Sequence, residues 1–254
     1  MVATETYADL ARAILAAPPR LGGGARRGGA RLGGVRLGGV RLGGVRLGGG
    51  GIRLVAVDGP SGAGKTFFAE RLAVALSAAA GAQVPVVHTD DLLDGWADQL
   101  TFWPRVEEQV LAPLRAGQPG RYRRYDWSAG RFDPRWWTVA PAAAVLMEGF
   151  SAARAEIRPE LTLAVFVTAP ADLRLARALA RDGEGIRADL ERWRRVEDRH
   201  FAADRTEDAA DLMVSGTVET PGGYLPLRRW QGHGRHGGSG PAGWQRGGSA
   251  GPAG

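Results

Sequence analysis

Residues 59–66 read Gly-Pro-Ser-Gly-Ala-Gly-Lys-Thr, which fits the pattern G-x-x-x-x-G-K-[ST] at every fixed position. In this pattern the glycines let backbone N–H groups wrap around phosphate oxygens. The lysine reaches the β- and γ-phosphates, and the final hydroxyl can bind Mg²⁺. The stretch therefore predicts a purine nucleoside triphosphate site. The predicted binding residues in it are Gly59, Ser61, Gly62, Ala63, Gly64, Lys65 and Thr66.

The sequence on either side of this loop supports the prediction, because a phosphate loop of this kind joins a strand to a helix. Residues 52–58 form a short β-branched run that is typical of a buried parallel strand. Residues 67–76 contain good helix formers and a mainly apolar face. A glycine-rich turn followed by a chance Lys-Thr is the alternative, and the flanking pattern disfavours it.

Further apolar runs alternate with helical segments along the chain. The strand candidates are Leu54–Asp58, Val84–His88, Ala144–Met147, Leu163–Thr168 and Leu212–Val214, and the helical segments include Trp103–Arg115 and Ala171–Arg181. Strands that alternate with helices indicate a parallel sheet covered on both faces. The predicted fold is α/β: a three-layer P-loop NTPase fold with a mainly parallel sheet, helices on both faces and a short lid.

Composition divides the 254 residues into four segments. Residues 1–19 are predicted to form a short helix ended by a Pro-Pro pair, and residues 52–220 the P-loop domain. Residues 20–51 contain a tandem Arg-Leu-Gly-Gly-Val repeat, and residues 221–254 are rich in Gly, Pro, Ser and Arg. We expect both of these low-complexity segments to be disordered.

The charge distribution argues against a nucleic-acid partner, although the net charge is +6. Arg20–Arg53 contains eight arginines and residues 221–254 contain four, with no acidic residue in either stretch. The positive charge is thus concentrated outside the predicted domain, and no basic stripe is evident within that domain. The chain has no cysteine, which excludes disulfides and thiolate metal sites. With no secretory signal or membrane span recognised, we expect a cytoplasmic protein that does not bind membranes.

Two carboxylates follow predicted strands, at the sheet edge where ligands of open parallel sheets gather. Asp90 follows the second strand and Glu148 the third. Phosphoryl transfer needs a metal ion to neutralise the phosphates and a carboxylate to deprotonate the attacking hydroxyl. We predict that Asp90 is this base and also a possible metal ligand, and that Thr66 and Glu148 hold the metal. The alternatives are a helix N-cap for Asp90 and an ordinary loop carboxylate for Glu148.

Arginines recur on one face of the helical segment that follows the fourth strand. Arg174, Arg177 and Arg181 stand at positions i, i+3 and i+7, and Arg187 follows a short Gly-Glu-Gly stretch. Beside a phosphate loop this pattern predicts a mobile lid that clamps phosphates and excludes water. The alternative is a solvated basic face that pairs with nearby acids.

Together these features resemble the uridine kinase branch of P-loop small-molecule kinases, which includes phosphoribulokinase and the P-loop pantothenate kinases. The residues that carry the resemblance are the phosphate loop, Asp90, Tyr125-Asp126 before Arg131, Glu148-Gly149, and Asp172–Leu175 leading to Arg181-Asp182. The resemblance implies ATP-dependent phosphorylation of a nucleoside 5′-hydroxyl, with Mg²⁺. It assigns Asp90 as the base, and Lys65 and Arg181 as further catalytic groups, with Arg181 in the lid. It assigns Tyr125, Asp126 and Arg131 to the acceptor side.

The sequence departs from the family pattern on that acceptor side. The family's histidine after the Tyr-Asp pair is replaced by Ser128-Ala129-Gly130, and an expected aromatic pair is Leu92-Leu93. The acceptor is therefore left open between a nucleoside and another small alcohol, such as pantothenate or a sugar-like metabolite. A nucleotide-dependent RNA-binding or regulatory protein is the alternative from another class. The sequence leaves the oligomeric state unknown.

Overall fold

A computed structural model describes residues 4–22, 51–220 and 222–231. Most of the Arg-Leu-Gly-Gly-Val segment and the chain after residue 231 lie outside these described residues. What the sequence predicts for those two segments therefore stays a prediction.

The main sheet has seven strands in the order β1-β9-β8-β7-β2-β6-β3, and β4 and β5 form a separate antiparallel pair. The strands are Glu5–Thr6 (β1), Arg53–Asp58 (β2), Val86–His88 (β3), Gly120–Asp126 (β4), Arg131–Val139 (β5), Ala144–Glu148 (β6), Leu161–Thr168 (β7), Leu212–Thr220 (β8) and Gly223–Arg228 (β9). Strands β3, β6, β2, β7 and β8 run parallel, and β9 and β1 add an antiparallel edge. The predicted fold class, α/β with a mainly parallel sheet, is confirmed.

Helices cover both faces of this sheet. They are Tyr7–Ala16 (α1), Lys65–Ala80 (α2), Trp103–Val106 (α3), Ala112–Arg115 (α4), Ala171–Asp182 (α5), Arg187–Asp204 (α6) and Thr206–Ala209 (α7). A wider π-helical turn, Glu107–Leu111, joins α3 to α4, so the predicted helix over 103–115 is continuous but not uniform.

The central strand shows why the parallel strands are apolar throughout. Successive side chains of a strand point to opposite faces of its sheet. Leu54 and Ala56 of β2 lie in a core on one face with the α3–α4 segment. Val55 and Val57 lie in a core on the other face with α1 and α2. Burial on both faces removes the apolar–polar alternation, as expected for parallel strands between helices.

The β4–β5 hairpin was not predicted as a pair of strands. Its sequence is rich in arginine and half of it is exposed, so it lacks the apolar run that marked the other strands. Asp126 closes the connecting turn, because its Oδ1 accepts hydrogen bonds from the N–H groups of Ser128 and Ala129, both at 2.9 Å.

The boundary predicted at residue 220 is wrong, because β9 extends the domain. Residues 223–228, predicted as part of the low-complexity tail, pair with β8. Buried Tyr224 packs against Tyr7 of α1 and Phe68 of α2, each with ring centroids 5.4 Å away. One tyrosine in a glycine-rich stretch thus joins the strand to the core, which composition alone did not reveal.

Among the described residues, no helix is both long enough and apolar enough to span a membrane.

Candidate active site

The phosphate loop joins β2 to α2, which begins at Lys65. Gly62 has a φ of +77°, and a Cβ atom there would lie 2.3 Å from the backbone oxygen of Arg174. Only glycine fits this close approach between the loop and the first turn of α5. Lys65 donates a hydrogen bond from Nζ to the carbonyl of Pro60 at 3.2 Å, which folds its side chain back over the loop.

Thr66 and Glu148, two of the three predicted metal ligands, contact each other directly, while metal binding by Asp90 stays a prediction. The Thr66 Oγ1 donates a hydrogen bond to Glu148 Oε1 at 3.1 Å. His88 Nδ1 lies 2.6 Å from the other carboxylate oxygen, Oε2. The contact follows from the sheet, since His88 and Glu148 are register partners at the ends of β3 and β6. Sequence reasoning assigned no function to His88, although its place at a strand end was the available signal.

His88 and Glu148 stabilise each other's charged forms. Burial alone would raise the pKa of Glu148, but the hydrogen bond with His88 and the charge of Lys65 outweigh it and hold that pKa below its ordinary value. The hydrogen bond to Glu148 raises the pKa of His88, although burial opposes the rise. Glu148 is thus held ionised, as a metal ligand must be.

Asp90 stands on the short 3₁₀ turn Thr89–Leu92 that follows β3, and the residue is exposed. Desolvation by the surrounding protein raises the pKa of Asp90 to about 6, while Lys65 lowers it and Glu148 raises it further. Because water reaches the exposed side chain, we expect the full desolvation only when a ligand covers it. A carboxylate with a raised pKa is suited to accept a proton near neutral pH.

Close backbone packing holds the ends of β3 and β6 together. Gly149 has a φ of +134°, and a Cβ atom there would lie 2.1 Å from Thr89 Oγ1. The Thr89 hydroxyl donates to the carbonyl of Phe150 at 3.2 Å. The pair Glu148-Gly149 therefore places the Glu148 carboxylate while allowing the turn that carries Asp90 to approach.

The four predicted arginines do not form one uniform face. Arg181 forms an ion pair with Asp182 at 2.6 Å. It also interacts electrostatically with Asp90 and Glu148, and its predicted catalytic role stays a prediction. Arg177 donates to the carbonyl of Gly216 at 2.8 Å. Arg174 donates to the carbonyl of Ala169 at 3.1 Å, and its buried Nη1 has no hydrogen-bond partner among the described residues. Arg187 forms an exposed ion pair with Glu184 at 2.8 Å, so its predicted contact with phosphate stays a prediction.

An aromatic cluster surrounds Tyr125, one of the three predicted acceptor-side residues. Its ring lies 5.2 Å from that of Trp127 and 5.3 Å from that of Phe132, and Trp127 lies 5.1 Å from Trp96. Of the other two predicted acceptor-side residues, Arg131 is exposed on β5 and Asp126 is already engaged in the hairpin turn. Acceptor binding by Asp126 and Arg131 therefore stays a prediction.

Two buried carboxylates near the loop were missed. Asp58, fully buried at the end of β2, accepts hydrogen bonds from the N–H groups of Gly59, Ser151 and Ala153 at 2.7, 3.1 and 2.9 Å. Burial raises the pKa of Asp58 to about 7. Glu197 of α6 accepts hydrogen bonds from the backbone and the hydroxyl of Ser61. No sequence pattern links either carboxylate to the residues that it contacts.

A cleft of about 170 Å³ lies beside the loop on the side of β8 and β9. The residues lining it include Gly64, Phe67, Arg177, Gly216 and Val218. The sequence did not predict this cleft, because part of its wall comes from the stretch assigned to the tail.

Comparison with known proteins identifies the family. A model described as the phosphoribulokinase / uridine kinase family matches residues 103–214. Uridine kinase from Deinococcus deserti is 31% identical over 145 residues, which cover 51% of this chain and 68% of that protein. The chain belongs to the phosphoribulokinase / uridine kinase family. The predicted family is thereby confirmed.

Two further proteins are similar to this chain. A possible uridine kinase from Bacillus stearothermophilus has a similar fold, with a TM-score of 0.50 and 20% identity over 66% of this chain and 91% of that chain. Inorganic pyrophosphatase TTM2 from Arabidopsis thaliana is 34% identical over 141 residues, which cover 52% of this chain but 20% of that protein. The chain spans about a fifth of the length of this plant relative, so its own activity and acceptor are proposals.

Proposed function

We propose that this protein transfers the γ-phosphoryl group of ATP to a hydroxyl of a small molecule, a nucleoside being one candidate. The observation that carries the proposal is the meeting of three groups at the carboxyl ends of adjacent strands. Lys65 of the phosphate loop, Asp90 after β3 and Glu148 at the end of β6 interact electrostatically with one another. This arrangement combines a phosphate site with a base and a metal-binding carboxylate.

In this scheme the oxygen of the acceptor attacks the γ-phosphorus, and the bond from that phosphorus to the bridging oxygen of ADP breaks. Asp90 takes the proton of the acceptor hydroxyl. Lys65 and the N–H groups of the loop hold the phosphates, and Arg181 stabilises the negative charge that spreads over the transferred group. ADP leaves with the electrons of the broken bond.

The oxygen ligands of the site fit Mg²⁺. This ion prefers oxygen ligands and is usually bound by one or two carboxylates together with substrate phosphates. Thr66 and Glu148 supply a hydroxyl and a carboxylate whose oxygens lie 3.1 Å apart. Among the described residues, no cluster of three or more His, Cys, Asp or Glu could hold a metal without such a substrate. Bound there with ATP, Mg²⁺ would neutralise phosphate charge.

We further propose that the adenine lies in the cleft beside Gly64. The cleft adjoins the phosphate loop, and Phe67 and Val218 give its wall apolar surface. A mostly apolar cleft with a few polar groups is typical of sites for small ligands.

Acceptor-stimulated formation of ADP tests the proposal. Nucleosides and other small alcohols are added in turn to the protein with ATP and Mg²⁺, and ADP is measured. We expect at least one hydroxyl compound to stimulate ADP formation and Lys65→Ala to abolish the stimulation. ADP formation that no acceptor changes would contradict the proposal, as would undiminished activity of Lys65→Ala.

A further inference from the structure

Glu197 makes an unusual contact for a side chain of α6, because it reaches into the phosphate loop. It accepts hydrogen bonds from the N–H of Ser61, at 3.0 Å to Oε1 and 3.2 Å to Oε2, and from the Ser61 hydroxyl at 2.6 Å. Its Oε1 also accepts the indole N–H of Trp193 at 2.8 Å. The glutamate is fully buried.

A buried carboxylate is stable only if hydrogen bonds replace the water that it loses. Two of the partners of Glu197 are the backbone N–H and the hydroxyl of Ser61 in the loop. The third is the indole N–H of Trp193 in the same helix, α6. These contacts occupy the polar groups of Ser61, which the sequence predicted to bind nucleotide. In this structure Ser61 is therefore a residue that fixes the loop.

We infer that Glu197 is a positioning residue that sets the conformation of the phosphate loop by holding Ser61. The inference rests on the proposed function, since a loop needs this conformation only if it binds phosphate. Ser61 is the third of the eight loop residues, so holding its N–H fixes the path of the chain before Gly62 and Ala63. N–H groups that are already oriented bind phosphate without the cost of ordering the loop.

The same contact joins the loop to the acceptor side of the site. The ring of Trp193 lies 5.7 Å from that of Trp96, which belongs to the aromatic cluster around Tyr125, and 5.7 Å from that of Phe150. The helix that carries both Trp193 and Glu197 begins at Arg187, directly after the predicted lid turn. A shift of α6 would therefore move the partner of Ser61.

Glu197→Gln tests this role, because it keeps the size of the side chain and replaces one acceptor oxygen with a donor. Asp204→Asn is the matched control. Asp204 ends the same helix and also accepts from a backbone N–H, that of Ala155 at 3.0 Å, and from a hydroxyl, that of Thr206 at 2.7 Å. Its partners among the described residues are Ala155, Arg158 and Thr206, which lie outside the phosphate loop.

The measurements are the dissociation constant of the non-hydrolysable analogue AMPPNP with Mg²⁺, by calorimetry, and the midpoint of thermal unfolding. We expect Glu197→Gln to weaken analogue binding by about 10-fold or more, since a lost hydrogen bond to a charged group is typically worth this much. Asp204→Asn should lower the unfolding midpoint but change analogue binding by less than about 2-fold.

Ser61→Ala supplies a second test that does not remove the buried charge. If Ser61 and Glu197 act as one unit, the double variant should bind the analogue about as weakly as Glu197→Gln alone. Additive losses would overturn the inference, as would unchanged affinity in Glu197→Gln or equal losses in the Asp204 control. If Glu197→Gln does not fold, unchanged affinity in both Ser61→Ala and Trp193→Phe would overturn it. A wild-type protein that fails to bind the analogue would instead remove the proposed function and the inference together.

Discussion

Asp90 must be ionised before it can accept the proton of an acceptor hydroxyl. The surrounding protein raises its pKa to about 6 once ligands cover the side chain, so the active form is then lost as the pH falls through that value. We predict that kcat, which reports the complex in which ligands cover Asp90, rises with pH through about 6 and then levels off. A pH–rate profile of the wild-type protein, with the best acceptor found, measures this.

The matching variant is Asp90→Asn, which keeps the shape of the side chain and removes the base. We expect kcat to fall by about 10²- to 10⁴-fold while AMPPNP binding is retained. Near-normal turnover in Asp90→Asn would show that another group takes the proton.

His88 and Glu148 give a pH-dependent contribution to stability whose sign follows from their two shifts. Glu148 has a lowered pKa, so its contribution is present above its usual value and is lost as the pH falls through the lowered one. His88 has a raised pKa, so its contribution is present below its usual value and is lost as the pH rises through the raised one. The interaction is therefore strongest at mildly acidic pH.

We predict that His88→Asn lowers the free energy of unfolding more at about pH 6 than at about pH 9, where the histidine is neutral in both folded and unfolded states. Urea denaturation of wild type and variant at the two pH values measures the difference. An equal loss at both would mean that the ion pair contributes nothing beyond packing.

At the scale of elements, the ends of the parallel strands are tied together through buried polar groups. Asp58 at the end of β2 accepts from the N–H groups of Ser151 and Ala153, in the turn after β6. We predict that Asp58→Asn lowers the free energy of unfolding by about 1–3 kcal/mol, because the amide cannot accept all the hydrogen bonds of the carboxyl group. Chemical denaturation measures this loss.

Thr162→Val is the control for that variant. Thr162 is buried in β7, and its hydroxyl has no hydrogen-bond partner within the described residues. Removing it should leave stability unchanged or slightly raised. If both variants lost the same stability, the Asp58 hydrogen bonds would not be the cause.

At the scale of the whole molecule, both ends of the described chain meet at one edge of the sheet. Glu5 of β1 pairs with Tyr224 of β9, and the rings of Tyr7, Phe68 and Tyr224 pack together. We predict that deleting residues 221–254 costs at least about 2 kcal/mol of folding free energy, the value of burying one large side chain. Deleting only residues 232–254 should cost almost nothing. Thermal unfolding of the two shortened proteins compares them, and equal midpoints would contradict the structural role of β9.

The sequence predicted the parts of the molecule that local pattern determines. The strand that ends at Asp58 is an uninterrupted apolar run beside a fixed-spacing phosphate loop, and the catalytic candidates Asp90 and Glu148 directly follow such strands. These features follow from local burial and from the way parallel strands align. They need no knowledge of distant contacts.

The parts that the sequence did not predict depend on contacts between distant residues. Glu197 meets Ser61 across 136 positions, and nothing around either residue signals this contact. Strand β9 contains a proline and lies in a stretch rich in Gly, Pro, Ser and Arg, so only its pairing with β8 reveals it. Asp126 fits a family pattern, but the hairpin turn uses its carboxylate.

The most direct test of the account follows the phosphorus atom itself. The protein is incubated with Mg²⁺, ATP labelled at the γ-phosphorus, and an acceptor that stimulates ADP formation, and the labelled products are separated. The account predicts that the label appears as a phosphate ester of the acceptor, one for each ADP, and that Asp90→Asn forms almost none. Label found only as inorganic phosphate, in equal amount with and without the acceptor, would contradict it and indicate hydrolysis instead of transfer to a hydroxyl.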